Sequence, residues 1–171
     1  MTWVAPEPPP FGGSLVAGER TLLEGFLDWQ RAVLVGKCTG LTGPELAEAA
    51  CPPSTLSLLG LVRHLTDVEL EWFHRRFHGR DVEFFYRRPD AKDAAFDEAD
   101  PDEAERDYER LIAQWRSSRE AVAGNALDDA FTDELRGPMS LRAVYLHLIQ
   151  EYARHNGHAD LLRQRIDGQT G

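Results

Sequence analysis

An all-α fold, a four-helix bundle, is predicted by three observations. Four stretches of roughly 18 to 27 residues carry apolar side chains at helical intervals. Three of the four are opened or closed by capping chemistry, and no Val/Ile-rich alternating run bounded by turn residues is found, so sheet is not expected. The first helix runs from Glu19 to about Gly36, with Leu22, Leu23, Phe26, Leu27, Val33 and Leu34 as its apolar face. Leu41 to Ala50 reads as a short connecting helix, with Thr42 and Glu45 spaced as a capping box. The second long helix starts at Ser54/Thr55 and stops at Gly79; its stripe Leu58, Leu61, Leu65, Val68 and Trp72 is a bundle seam. Asp100, Pro101 and Glu103 announce the third, which buries Leu111, Ile112, Trp115 and Val122 and ends at Gly124–Asn125. Ser140 caps the last, where Leu141, Tyr145, Leu148, Tyr152, His155, Ala159, Leu162 and Ile166 follow steps of four and three until Gly168.

Two segments outside these helices carry readings of their own, beside a polar connection ahead of Ser140. Residues 1–18 are rich in proline and predict an extended arm, with Trp3 and Phe11 as anchors, ahead of a single domain over residues 19–171. The connection Arg80 to Asp100 is too long for a tight hairpin and is expected to cross the bundle. Its basic, aromatic start, Arg80 to Arg88, either walls a pocket or covers a core edge.

With 29 acidic and 19 basic residues in 171, the chain carries a net charge of −10. Ten acids and two bases lie between 90 and 109, so most of that acidity belongs to one connection and one helix start. Arg75, Arg76, Arg80, Arg87 and Arg88 form a local basic stretch, and nucleic acid is set aside for want of a binding motif. No span of about 18 apolar residues and no signal peptide are seen, which predicts a cytoplasmic protein that does not engage membranes. Cys38 and Cys51 match neither a C-x-x-C pair nor a zinc knuckle and read as reduced, structural residues.

The chemistry centres on His155, which occupies a core position where every other member of the stripe is apolar or aromatic. A buried imidazole needs a partner. Glu151 lies one turn before it and His158 three residues after it, on one helical edge. His64 borders the seam of the second helix and can face the last helix across the bundle, the way bundles build metal sites. His64, Glu151 and His155 make a three-ligand set that leaves a fourth position open. Spacing alone leaves a second reading open, with His155 a satisfied core histidine, Glu151 solvated and His64 at the seam edge. His147 extends the polar edge outward in a second-shell or surface role. Asp67 and Glu71 fall on the His64 side and are candidates to orient its imidazole. His74 and His78, four apart, have a spacing that could hold a metal, but Arg75, Arg76 and Arg80 beside them oppose a cation and the helix dipole alone favours histidine there.

The segments Gly60-Leu-Val-Arg-His64-Leu and Gln150-Glu151-Tyr-Ala-Arg-His155-Asn-Gly-His158-Ala-Asp-Leu-Leu-Arg163 resemble the DinB/YfiT-like superfamily, nearest its uncharacterised mini-circle-protein branch. The resemblance covers nearly the whole chain after the arm. It implies an up-down-down-up four-helix bundle binding zinc, nickel or a similar ion at the positions of His64, Glu151 and His155, and a possible homodimer. Most relatives carry histidine where Glu151 stands, whereas the mycothiol-dependent maleylpyruvate isomerase branch uses glutamate there. His158 replaces a common glutamine and is an additional ligand or a second-shell residue.

That resemblance implies a metal-dependent S-transferase using a low-molecular-weight thiol, mycothiol or bacillithiol, against a small electrophilic substrate, or else a hydrolase with metal-activated water. A thiol of pKa about 8.5 is deprotonated by coordination. No nucleophile of the chain's own is then required, which suits a sequence lacking G-x-S-x-G. The competing class is a non-enzymatic metal- or ligand-binding stress-response protein. A third class, DNA binding, predicts salt-sensitive retardation, and none is expected.

Overall fold

A computed structural model describes residues 2–8 and 13–170. Among them are α1 (Glu19–Cys38), α2 (Gly43–Ala47), α3 (Leu58–Glu69), α4 (Ala94–Asp97), α5 (Ala104–Val122) and α6 (Leu141–Asp167), with strands β1 (Ala130–Asp133) and β2 (Gly137–Ser140). The chain is mostly helical, and no helix is long and apolar enough to cross a membrane.

Local chemistry accounts for most of these boundaries. Thr42 and Glu45 form the expected capping box on α2. The Asp100 carboxylate accepts from Asp102 N over a 3-10 turn (Pro101–Glu103) that leads into α5. Ser140 Oγ accepts from Ala143 N and starts α6, and Gly168 ends it with a φ of 81°, a left-handed conformation that suits glycine. Two expectations change. The second long helix starts at Leu58, not at Ser54/Thr55, because Ser57 Oγ takes Gly60 N at 3.0 Å while Ser54 Oγ is spent on Leu56 N. Beyond Glu69 the same helix widens into a π-helical stretch (Leu70–Phe77), which sets residues five apart on one face: Arg76 reaches Glu71 at 2.7 and 2.9 Å.

Sheet was not expected, yet β1 and β2 pair antiparallel. Strands of four residues are too short to show an alternating pattern. Their turn is closed by Asp133, whose carboxylate accepts Leu135 N and Arg136 N, and by Gly137 at φ 76°.

Contacts advance together along α1 and α6, from Glu19–Arg142 to Lys37–Asp160, so these helices run parallel. The same holds for α3 and α5, from Arg63–Asp107 through His74–Ser117 to His78–Ala121. Between α3 and α6 the order reverses, from His64–Glu151 to Phe73–Tyr145. Leu34, Leu58, Leu61, Leu65, Leu111, Leu141 and Leu148 are fully buried in the core between them, each contributing about 1.5–3 kcal/mol.

A polar clamp sits within that core. Arg31 of α1 makes two hydrogen bonds, 2.7 and 2.6 Å, to Glu69 of α3. The Tyr152 hydroxyl of α6 donates to Glu69 Oε1 at 3.0 Å and accepts from Trp115 Nε1 of α5 at 2.8 Å. Three long helices thus meet at one carboxylate, and the fourth joins them through the Tyr152 hydroxyl.

The arm is extended where it is described. Val4 bridges Thr42, Ala5 exchanges backbone hydrogen bonds with Leu41 and Gly40, and Trp3 packs edge-on against Tyr108 at 5.7 Å. Phe11 lies outside the described residues. The long connection between α3 and α5 is tied down by Tyr86, buried beneath the Arg63 guanidinium and donating its hydroxyl to Asp107.

Candidate metal centre

Glu151 and His155, one turn apart, project from the same edge of α6. Leu61 and Leu65, buried in the seam on either side of His64, hold that imidazole opposite them on α3. His64, Glu151 and His155 each offer one ligand atom, and these atoms all lie within 4.8 Å of one another. His155 Nε2 stands 3.2 Å and His64 Nε2 3.5 Å from Glu151 Oε1. The two rings meet edge to face at 4.7 Å. His155 is nearly buried, while His64 and Glu151 keep 29% and 21% of their side-chain surface, so the group is reachable from one side.

One atom in this arrangement lacks what it needs. His64 Nε2 is buried and makes no well-formed hydrogen bond among the described residues; Glu151 Oε1 stands 3.5 Å away. Two imidazole nitrogens and a carboxylate oxygen converging on one small space is a donor set that zinc and similar divalent ions take. The neighbouring imidazoles of His155 and His64, working against burial, hold the Glu151 carboxyl well below the usual carboxylate range. It is therefore ionised at neutral pH.

The wall behind His64 is aromatic. Phe96 of α4 lies 5.6 Å from its ring and packs over Gly60, where a Cβ would collide with the Phe96 ring. A residue without a side chain one turn before His64 is what lets α4 approach α3.

The remaining predicted residues separate from the triad by their contacts. His158 Nδ1 lies 3.3 Å from His155 Nδ1, behind that ring, and outside the convergent group. Burial pulls the His158 imidazole below its ordinary pKa, helped by His155 and Arg154. His147 stacks on Trp72 at 4.1 Å, and burial lowers its pKa too. Asp67 has both carboxylate oxygens engaged by backbone: Phe85 N at 2.8 Å, Tyr86 N at 3.1 Å and Arg87 N at 2.8 Å. It fastens the connection rather than the imidazole. Glu71 pairs with Arg76 and Arg87. His74 accepts from Arg80 through Nδ1, which leaves its Nε2 to donate to Ser117 Oγ, and His78 donates to the Ala121 carbonyl. Gly60, Phe96 and the clamp around Glu69 went unread in the sequence. For the clamp a signal existed, since Glu69 stands one turn after Leu65 on an otherwise apolar seam.

The model of the mycothiol-S-transferase family matches residues 22–168. The chain belongs to this family. The match takes in α2 to α6 and nearly all of α1, and with them every residue of the triad. No curated protein matches the chain, and no solved structure matches it. As a member of the mycothiol-S-transferase family, which is of the DinB/YfiT-like kind, it carries the expectation of a small-molecule substrate and a thiol cosubstrate.

Proposed function

We propose that His64, Glu151 and His155 hold one divalent ion, zinc or nickel, and that the protein is a metal-dependent S-transferase joining mycothiol, or a similar thiol such as bacillithiol, to a small electrophile. The single observation behind this is His64 Nε2, a buried nitrogen with no hydrogen-bond partner among the described residues, turned toward the same carboxylate oxygen as His155 Nε2. When bound, such an ion makes a coordinated thiol far more acidic than its ordinary pKa of about 8.5.

The chain's own residues prepare the place. Glu151 contributes a full negative charge because its flanking imidazoles keep it ionised. With an ion at Nε2, His155 would carry its proton on Nδ1 and donate it to His158 Nδ1, 3.3 Å away. His158 is on this basis a positioning residue, and Asp67 and His147 lie outside the ligand set. Phe96 shields one face of His64 from water. Tyr152, anchored on Glu69 and Trp115, stiffens the turn of α6 that bears both Glu151 and His155.

The same proposal takes α1, α3, α5 and α6 as an up-down-down-up four-helix bundle, residues 19–171 as one domain and residues 1–18 as its arm. The parallel pairs α1/α6 and α3/α5 and the reversed order between α3 and α6 support it. The test is metal analysis of the purified chain, freed of adventitious ions, beside His64→Ala and His155→Ala. About one ion per wild-type chain is expected, with a loss of at least about tenfold in each variant. Equal, substoichiometric metal in all three overturns the site.

A further inference from the structure

Past the triad, the π-helical end of α3 and the connection after it place four arginines around one cavity of about 520 Å³. Glu71 and Asp133 also line it, but their charge is taken: Arg76 pairs with both, and Arg87 stands 3.1 Å from Glu71. The other two acids of the lining, Asp81 and Glu134, are exposed to solvent, where their field is screened. Arg75 and Arg80 have no carboxylate partner among the described residues. Arg75 donates to the Val82 carbonyl, and Arg80 donates to His74 Nδ1 at 2.9 Å. A guanidinium carries five N–H donors, so each fork keeps several unused.

The forks are also held in place. His74 is buried and fixed as an acceptor toward Arg80 by its own bond to Ser117, which pins the Arg80 fork. Arg75 and Arg87 both lie against the Phe84 ring, at 4.8 and 3.9 Å, two like charges on one aromatic side chain. Phe131 supplies a second aromatic surface to the same cavity. Preorganised guanidinium forks match the two oxygens of a carboxylate, and aromatic faces match a flat apolar body.

We propose that this cavity, between Arg75, Arg80, Phe84 and Phe131, binds the oxyanion of a small organic acid with a flat apolar body. It begins at Glu71, seven residues after His64, or about 10 Å along the helix axis. The site stands whether or not the triad holds a metal.

Calorimetric titration of the metal-loaded full chain at low salt tests it, with benzoate and inorganic phosphate as probes. Benzoate is expected to bind saturably and to be displaced by added salt. Arg80→Gln, at an exposed position that leaves the core intact, weakens it at least about tenfold, as does Arg75→Gln. Arg119→Gln, which removes a guanidinium paired with Asp28 elsewhere, leaves it unchanged, and so does His64→Ala. Absence of saturable benzoate binding, or equal binding in Arg80→Gln and wild type, overturns the proposal. Phosphate binding more tightly than benzoate overturns the assignment to an organic acid. Loss of benzoate in His64→Ala with retention in Arg80→Gln moves the acid to the triad and overturns the cavity.

Discussion

Histidines 155 and 158 are three residues apart on one helix and have different tasks, and the difference lies in which ring nitrogen faces which neighbour. His155 presents Nε2 to Glu151 and Nδ1 to His158, so in the proposed site His158 acts through His155. His158→Ala is expected to weaken metal affinity about 10- to 100-fold while leaving saturating stoichiometry unchanged, as loss of an orienting partner does. Competition against a chromophoric chelator measures both. A fall in saturating stoichiometry would mark His158 as a ligand instead. Gly60→Ala drives a methyl group into Phe96 and is expected to cost about 1–3 kcal/mol in denaturant unfolding. The triad was legible in the sequence because a one-turn Glu/His spacing and a histidine in a core position are both local patterns. The place of Asp67 was not. Its partners are the backbone amides of residues 85–87, brought back by a connection whose path no local pattern describes.

At the scale of elements, capping side chains marked the starts of α2, α5 and α6 because caps act over three or four residues. The π-helical stretch and the hairpin escaped for the opposite reason. The first goes with ion pairs from Arg76 to Glu71 and to Asp133, which come together only in the folded chain, and the second has strands too short to carry a period. The connection after α3 is held chiefly by Asp67 and Tyr86, and Asp67→Ala strips three backbone amides of their acceptor. We expect a loss of about 1–3 kcal/mol and faster hydrogen exchange at Phe85, Tyr86 and Arg87, with exchange in α6 unchanged. Unaltered exchange at these three amides would show that the carboxylate does not fasten the segment.

Across the whole molecule, the clamp of Arg31, Glu69, Tyr152 and Trp115 links the four long helices directly beneath the turn that carries Glu151 and His155. Arg31→Met leaves the Glu69 carboxylate buried and uncompensated, an expected cost of about 3–5 kcal/mol; Arg31→Met with Glu69→Leu recovers most of it. Failure of the double variant to recover would mean that the pair adds net stability. Stability also depends on pH through His74. Burial first, then the charges of Arg80 and His78, lower its folded pKa from the ordinary 6.5, so folding disfavours its protonated form. The stability it contributes is present above pH 6.5 and is lost as pH falls toward the folded value. His74→Gln is expected to flatten that part of the melting-temperature profile; an unchanged slope assigns it to other groups.

The most direct measurement of what this fold does is S-conjugation of a model electrophile by mycothiol, followed with the metal-loaded chain, the chelated chain and His64→Ala. Acceleration by the loaded protein alone, abolished by chelation and restored by one equivalent of zinc or nickel, is the predicted result. Equal rates in all three preparations, with metal bound in the first, would contradict it.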